Sequence, residues 1–171
     1  MLVKPDLSPE TRLKHTAPCR ISGFTLIEVI FTIAIMAVLA SLAMPSFSQF
    51  MATQRIRNAS FDMIAALTLA RSEAITRNAS IDLLRSSSAW QGGWKVSADA
   101  GATALLNQQP YSDLTITDSA DLSTITYGKD GRSTTTTTMF TIAPATVMAG
   151  VASRCVTVGL SGVPSTRIGG C

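Results

Sequence analysis

The sequence predicts an α+β protein in which one long N-terminal helix is followed by a mostly antiparallel sheet. From Phe24 to Met44 the chain has a single ionisable residue and no Gly or Pro, and apolar residues then recur at helical spacing towards Asn78. Beyond Asn78, short segments of alternating polarity are separated by Gly-containing turns, which is typical of antiparallel strands. The 171 residues therefore predict one domain carried on a helical appendage.

The first 23 residues differ in composition from the rest of the chain. They hold three prolines and four of the 14 Lys and Arg residues, and they show no apolar periodicity. We expect residues 1–23 to be a leader that lies on the cytoplasmic side of a membrane, by the positive-inside rule. Without this leader, ten Lys and Arg stand against nine Asp and Glu. Such a balance predicts no general affinity for nucleic acid.

The apolar run, which we assign to residues 24–45, has the length of a transmembrane helix. About 21 residues that each rise 1.5 Å span roughly 30 Å, the thickness of the hydrocarbon core of a bilayer. The run is too long for a secretory signal, and no small-x-small cleavage site follows it. A plain single-pass anchor is an alternative that does not explain Glu28. A carboxylate in the bilayer costs roughly 2.5–3.5 kcal/mol, so we expect it to pair with an α-amino group of a neighbouring copy.

Residues 46–79 predict an amphipathic continuation of the same helix. Pro45 predicts a kink, and no Gly or Pro follows it as far as Asn78. The arginines of this segment are expected to be solvated. Apolar residues recur at Phe47, Phe50 and Met51. They continue at the period of one helical face, and we expect the apolar face to pack under the head: Ile56, Met63, Ile64, Leu67, Ala70, Ala74 and Ile75.

Residues 80–171 predict a β-rich globular head with six to eight strands. Turns are expected at the Gly92–Gly93 pair and over residues 128–131, and a loop is expected over residues 159–170. The Thr-rich segment 133–138 fits either low complexity or an exposed strand. Strands are predicted within residues 80–85, 94–96, 114–116, 124–127, 139–142 and 154–158.

The three cysteines lie on both sides of the apolar run. Cys19 precedes it, whereas Cys155 and Cys171 follow it. If the run crosses a membrane, the last two cysteines share an oxidising compartment, and a disulfide between them is the simplest pairing. Two free thiols or a metal-binding pair is the alternative. The disulfide would close a short loop and tie down the C-terminal segment.

No set of side chains for catalysis is predicted. The one histidine, His15, lies in the leader, so residues 24–171 hold no Ser–His or Cys–His pair and no His-based metal site. Asp113, Asp118 and Asp121 lack the spacing of a calcium loop and are expected to be solvated. The sequence therefore predicts a protein that is not an enzyme and that needs no cofactor or metal.

The segment Gly23-Phe24-Thr25-Leu26-Ile27-Glu28 resembles the prepilin motif of type IV pilins and type II secretion pseudopilins. The resemblance implies cleavage by a prepilin peptidase between Gly23 and Phe24, N-methylation of Phe24, and an assembly role for Glu28 beside the N-terminal amine of an adjacent subunit. It further implies a single pass through the bacterial inner membrane, with a cytoplasmic N-terminus and a periplasmic head. The subunit would then move into a pilus or pseudopilus, where other pilins contact its N-terminal helix.

The resemblance extends into the head, where the chain is similar to GspH/FimT-type minor pilins. It implies a minor type IV pilin at or near the pilus tip that supports pilus assembly. The alternatives are an H-type minor pseudopilin of the type II secretion system and a DNA-binding receptor for natural transformation. The stretches that carry the resemblance are Pro45-Ser46-Phe47, residues 67–74 with Ala70-Arg71-Ser72-Glu73-Ala74, Trp90 with Gly93-Trp94, and residues 155–158 with Ser161-Gly162.

DNA uptake is the weaker of these implications. Some relatives of this type bind DNA through a basic C-terminal segment in which an Arg directly follows the Gly. In this sequence Val163 follows Gly162, and the nearest cation is Arg167. Arg167 is therefore the one residue to which the resemblance assigns DNA binding.

Overall fold

A computed structural model describes residues 23–98 and 101–171, and for Leu42, Ala43 and Pro45 it describes the backbone alone. The predicted leader, residues 1–23, lies outside the described residues except for Gly23. The predicted α+β class is confirmed, and the described residues form one α-helix, eight strands and a short 3-10 helix at Trp90–Gly92. The elements are α1 (Leu26–Arg77), β1 (Ile81–Arg85), β2 (Trp94–Ala98), β3 (Thr103–Gln108), β4 (Leu114–Asp118), β5 (Thr124–Tyr127), β6 (Thr138–Pro144), β7 (Arg154–Val158) and β8 (Pro164–Ile168).

The contacts divide the chain into two units, one ending at Ser41 and the other beginning at Leu42. In the first unit the large apolar side chains of the helix are exposed; Phe31, for example, is 67% exposed. Within residues 23–98 and 101–171, no single helix is long and apolar enough to cross a membrane. The segments Leu26–Ser41 and Ser46–Arg77 satisfy that criterion only as a pair, by length and composition.

The C-terminal end of α1 is closed by a left-handed cap. Asn78 follows the helix with φ of 50°, a conformation that Asn tolerates better than most residues. Its N–H donates to the carbonyl of Ile75, and the N–H of Ala79 donates to the carbonyl of Ala74. These two bonds form a Schellman motif, which satisfies two carbonyls that the end of a helix leaves without partners.

The head contains two four-stranded antiparallel sheets. The first has the strand order β3-β2-β1-β5 and the second the order β4-β6-β7-β8. In the first sheet Leu83 lies opposite both Val96 and Ile125. The pairing of β2 with β3 shifts register after Val96, where Leu105 of β3 is the extra, bulged residue. The chain crosses between the sheets repeatedly, since β4 and β6 belong to the second sheet while the intervening β5 belongs to the first.

A single hydrophobic core joins the helix to both sheets. Ala59, Ala66 and Ala70 are fully buried, and these small side chains let the helix approach the strands closely. The predicted helix face is confirmed at five positions: Ile56, Met63, Leu67, Ala70 and Ala74. Ile64 is partly buried against the core. Ile75 departs from the prediction and is 51% exposed. Its side chain lies beside the turn at Gly131.

Six strands were predicted at their observed places, and two were not. β3 falls in a segment for which no strand was predicted. β8 lies within residues 159–170, so the prediction of a loop there was wrong. β8 is nearly all exposed and forms because it pairs with β7 along its whole length. In the Thr-rich segment only Thr138 belongs to a strand, while Ser133 forms one isolated bridge with Tyr127.

Candidate functional site

The segment Gly23–Glu28 is exposed in the described chain. A Cβ added to Gly23 would meet no heavy atom within 4 Å, and Phe24 is 82% exposed. Glu28 is exposed, and it forms no ion pair with any residue in the described part of the chain. Both residues that flank the predicted cleavage bond are therefore exposed.

Thr25 within this motif caps the N-terminus of α1. Its side-chain oxygen accepts a hydrogen bond from the N–H of Glu28 at 3.3 Å, and its carbonyl is 3.1 Å from the same nitrogen. The spacing Thr-x-x-Glu is that of a capping box, with Thr at the cap and Glu at the third helical position. A carboxylate in the first turn also stabilises the helix, because it lies near the positive end of the helix dipole. Sequence reasoning missed this role of Thr25, although the spacing was visible.

In the head, Arg71 joins α1 to the turn after β5, which packs against the turn between β7 and β8. Its Nε donates to the carbonyl of Gly131 at 2.9 Å, in the turn after β5. The hydroxyl of Tyr127 donates to the carbonyl of Gly162 at 3.2 Å, in the turn between β7 and β8. A Cβ built on Gly162 would lie 2.3 Å from the Gly131 carbonyl, so the two turns pack backbone against backbone. Arg71 and Gly162, both in the stretches that carry the family resemblance, thus meet at one junction.

Two tyrosines in the head have raised pKa values. Burial raises the pKa of Tyr127 from 10.0 to about 12, and the nearby positive charge of Arg71 partly opposes that rise. Burial also raises the pKa of Tyr111, and so does Asp62, which accepts a hydrogen bond of 2.6 Å from its hydroxyl. Neither tyrosine can pair with a histidine, since residues 24–171 contain none. We therefore assign both to the packing of the head.

The three aspartates that were considered as calcium ligands make separate contacts. Asp113 pairs with Arg55. Asp121 lies 3.2 Å from Arg85. Asp118 accepts hydrogen bonds from the Ala120 and Leu122 N–H groups and from the Thr138 hydroxyl. Asp118 therefore shapes the loop before β5.

Cys155 and Cys171 form a disulfide, the pairing that the sequence predicts, with a Cα–Cα distance of 5.1 Å. Cys155 is buried in β7, so the bond fastens the segment after β8 to the second sheet. Arg167 is exposed on β8. Its Nη2 lies 3.5 Å from the Gly170 carbonyl and 3.4 Å from the Cys171 carbonyl, so this guanidinium is held by its own chain.

Comparison with known proteins identifies the family. Residues 19–44 match the prokaryotic N-terminal methylation motif. Residues 59–162, more than half of the chain, match the type II transport protein GspH. The chain belongs to the GspH family. The resemblance to GspH/FimT-type minor pilins is thereby confirmed, and family and fold are those of structural proteins.

The GspH-family fold of this chain is similar to solved structures of a pilin. Two crystal forms of the type IV minor pilin FimU of Pseudomonas aeruginosa match it with TM-scores of 0.60 and 0.57. The identities are 20% and 21%, over 69% and 65% of this chain and 92% and 91% of that chain. At this identity the likeness establishes the fold, a helix packed on antiparallel sheets. No curated protein sequence matches the chain.

Proposed function

We propose that this chain is a minor pilin whose precursor is cut by prepilin peptidase between Gly23 and Phe24, methylated at Phe24, and assembled into a filament through its N-terminal helix. The observation that carries this proposal is Glu28. It is the one ionisable residue from Phe24 to Met44, and it has no ion-pair partner among the described residues of its own chain. A neighbouring subunit, whose cleaved N-terminus carries an α-amino group, supplies the opposite charge.

Before assembly, the helix is proposed to cross the bacterial inner membrane once, with the leader in the cytoplasm and the head in the periplasm. Two observations support this placement. The large apolar side chains of the described helix before Ser41 are exposed, as a lipid environment requires. The Cys155–Cys171 disulfide suits an oxidising compartment on the side of the head.

We favour a type IV pilus, with the subunit at or near its tip, as the destination. The likeness of the fold to the minor pilin FimU supports this choice. The second candidate is an H-type minor pseudopilin of the type II secretion system, which the description of the matching family model supports. Deletion of the pilus assembly ATPase or of the secretion ATPase separates the two. If the chain is a type IV pilin, its incorporation into filaments is lost only when the pilus assembly ATPase is deleted. If it is a pseudopilin, incorporation is lost only when the secretion ATPase is deleted.

A role as a DNA receptor has less support. Arg167 donates to the carbonyls of its own chain, and residues 24–171 are nearly neutral. Specific phosphate contacts would have to come from a few cations rather than from a basic surface. If DNA binding does occur through this residue, Arg167→Ala weakens salt-dependent DNA binding of the chain. Unchanged binding in that variant removes the proposed site. An enzymatic function is not proposed, because residues 24–171 lack any nucleophile–histidine pair.

N-terminal mass analysis of the membrane-extracted protein tests the processing step. We expect a chain that begins at Phe24 and carries one methyl group on its amine. Gly23→Ala is expected to slow the cleavage, because the added methyl group enters the position next to the cut. A chain that retains residues before Phe24 in a strain with an active peptidase contradicts the proposal.

The assembly step is tested by Glu28→Ala, with Glu73→Ala as its matched control on the same helix. Glu73 pairs with Arg77 on the head side and lies outside the apolar run. We expect the Glu28 variant to be inserted and cleaved normally but to be poorly incorporated into filaments, because the amine of the neighbour loses its counter-charge. The Glu73 variant should assemble like the wild type. Normal incorporation of the Glu28 variant counts against the proposed role.

A further inference from the structure

The loop between β6 and β7 is an exposed and uncharged part of the head. The sequence holds no ionisable residue from Ser133 to Ser153. Five of the six residues from Ala145 to Gly150 are exposed. Val147 is 95% exposed, more than any other large apolar side chain among the described residues. The loop therefore turns an apolar side chain towards its surroundings rather than towards the core.

Hydrogen bonds on both sides of Val147 hold this loop on the head. The N–H of Ala145 donates to the carbonyl of Asp113 at 2.9 Å. The N–H of Val151 donates to the carbonyl of Met148 at 3.2 Å and closes a turn in which Gly150 has a φ of 79°. The exposure of Val147 is thus a property of a defined turn.

The loop lies beside the first residues of the head half of α1. A Cβ built on Gly150 would lie 3.6 Å from the Oε1 atom of Gln49. Phe47 and Met51 of the helix and Met148 of the loop line one groove of about 450 Å³. The loop and the helix therefore share one surface.

We call Phe47, Met51, Val147 and Met148 the basal surface. Phe47 and Met51 lie three and seven residues beyond Met44, which is roughly 4.5 and 10 Å along the helix. Among the residues that line the groove, only Arg55 and Asp113 are charged, and they pair with each other. Arg55 is about 16 Å along the helix from Met44. Charge in this groove is therefore confined to the end that lies farther from the apolar run.

We infer that the basal surface lies in the headgroup layer of the inner membrane and gives the head a shallow lipid contact of its own. This inference rests on the proposed function, in which the apolar run ends at Met44 on the periplasmic side. Gln49, which the loop contacts, is five residues further on and so at most about 7.5 Å away. The polar layer on each side of a bilayer is roughly 5–8 Å thick. Exposed apolar side chains at this depth are stabilised at the boundary of the acyl chains.

Another protein is the alternative partner for an apolar surface, and position favours lipid. Before assembly, the space around residues so close to the end of a membrane span is filled by headgroups. A protein partner would first have to displace these lipids, whereas the lipids are present from the moment of insertion. The contact then limits the tilt of the head relative to the bilayer while the subunit awaits assembly.

Fluorescence quenching in the processed full chain tests the inference. Once the leader is removed with Cys19, the chain has no free thiol, because Cys155 pairs with Cys171. Val147→Cys is labelled with bimane and reconstituted in nanodiscs of phosphatidylethanolamine and phosphatidylglycerol, with and without a lipid that carries a nitroxide on its headgroup. We expect the nitroxide lipid to remove about half of the fluorescence or more, since the label lies in the interfacial layer.

Two further labelled positions are the controls. Leu160→Cys places bimane on an exposed apolar residue beyond the other end of β7, where little quenching is expected. Phe31→Cys places it in the apolar run, where a nitroxide on the acyl chain should quench it. If the Phe31 label is quenched but the Val147 label is not, the inference fails and the proposed membrane placement stands. If neither is quenched, that placement fails as well. Equal quenching at Val147 and Leu160 also overturns the inference.

Photo-cross-linking in cells separates lipid from a protein partner. Val147 is replaced by p-benzoylphenylalanine in cells that lack the assembly ATPase, so that the subunit stays in the membrane. We expect adducts with phospholipid, identified by mass spectrometry, and none from the same analogue at Leu160. An adduct of the Val147 variant with another protein only, such as the head of a second copy, overturns the inference.

Discussion

Gly162 lies at a position in the head where no side chain fits. Its φ is +74°, in the left-handed region that favours glycine. A Cβ there would lie 2.3 Å from the carbonyl oxygen of Gly131 and 2.9 Å from the ring of Tyr127. Since the first of these atoms belongs to the backbone of another turn, relief of the clash would separate the two turns. The glycine of the Ser161-Gly162 stretch is therefore explained by close packing.

We predict that Gly162→Ala lowers the free energy of unfolding by at least about 2 kcal/mol, because both the backbone conformation and the contact with Gly131 become strained. Gly159→Ala is the matched control in the same turn. Its Cβ would meet only the Thr137 hydroxyl at an ordinary 3.8 Å, and its φ lies outside the left-handed region. Urea unfolding of both variants measures the difference. Equal stability of the two variants would contradict the packing described for Gly162.

We predict that the head becomes less stable at high pH because the hydroxyl of Tyr127 is buried. Burial raises its pKa to about 12 in the folded protein, against an ordinary value of 10.0 in the unfolded chain. The stabilisation is complete below pH 10 and falls as pH rises towards 12, by up to about 1.4 kcal/mol per pH unit, because only the unfolded state releases its proton there. Urea midpoints at pH 8 and pH 11 measure this slope.

Tyr127→Phe supplies the comparison for the pH prediction. The variant loses the hydrogen bond to the Gly162 carbonyl, which costs roughly 1 kcal/mol at neutral pH. Between pH 10 and pH 12 the free energy of unfolding of the variant should decline less steeply than that of the wild type. The difference in slope is that of one titrating proton, up to about 1.4 kcal/mol per pH unit. A residual decline is expected from Tyr111, whose pKa is also raised. An unchanged slope in the variant would assign the effect to other groups.

Among the elements, β8 depends most on its neighbour. It carries few buried side chains, begins with Pro164, and shows no alternation that would mark it as a strand in the sequence. Pairing with β7 along five residues and the disulfide just beyond Ile168 hold it in the second sheet. β3 escaped prediction for a related reason. Its Leu105 and Leu106 are adjacent rather than alternating, and a bulge at Leu105 shifts its register with β2.

We predict that Cys155→Ser with Cys171→Ser destabilises the head by roughly 3 kcal/mol, because the 16-residue separation gives a loop whose closure in the unfolded chain is worth about that amount. Urea unfolding with and without reductant provides the measurement. The wild type should lose a similar amount on reduction, and the double variant should not respond to reductant. Cys19→Ser, which lies before the cleavage motif, is the control and should leave the stability of the processed protein unchanged.

For the molecule as a whole, the sequence predicted the class of fold and most of the helix face, because Met63, Leu67, Ala70 and Ala74 recur at helical spacing. It could not predict the division of the strands into two sheets, which depends on long-range pairing such as that of β1 with β5. The motif Gly23–Glu28 was recognisable in the sequence because its residues are consecutive. The junction of Arg71, Gly131 and Gly162 was not, since its members are about 30 to 90 residues apart.

We predict that a fragment of residues 46–171 folds by itself, because the core extends from Ile56 to Val158 and includes no residue before Ser46 among those described. It should unfold in one sharp transition, with a free energy of unfolding within about 1 kcal/mol of that of the full chain in detergent. Circular dichroism and urea unfolding measure both. A broad, non-cooperative transition would show that the head needs its first helical unit to fold.

The interleaving of the two sheets has a consequence for the order in which the head can form. The chain enters the second sheet at β4, returns to the first at β5, and leaves it again for β6. β4 can therefore pair only when β6, some 20 residues further on, is available. β1 likewise pairs with β5 across more than 30 residues. The second sheet cannot be completed before β8 is available, whereas the first needs the chain only as far as β5. Such distant pairings slow folding and favour a single cooperative event that follows synthesis of the chain as far as Ile168.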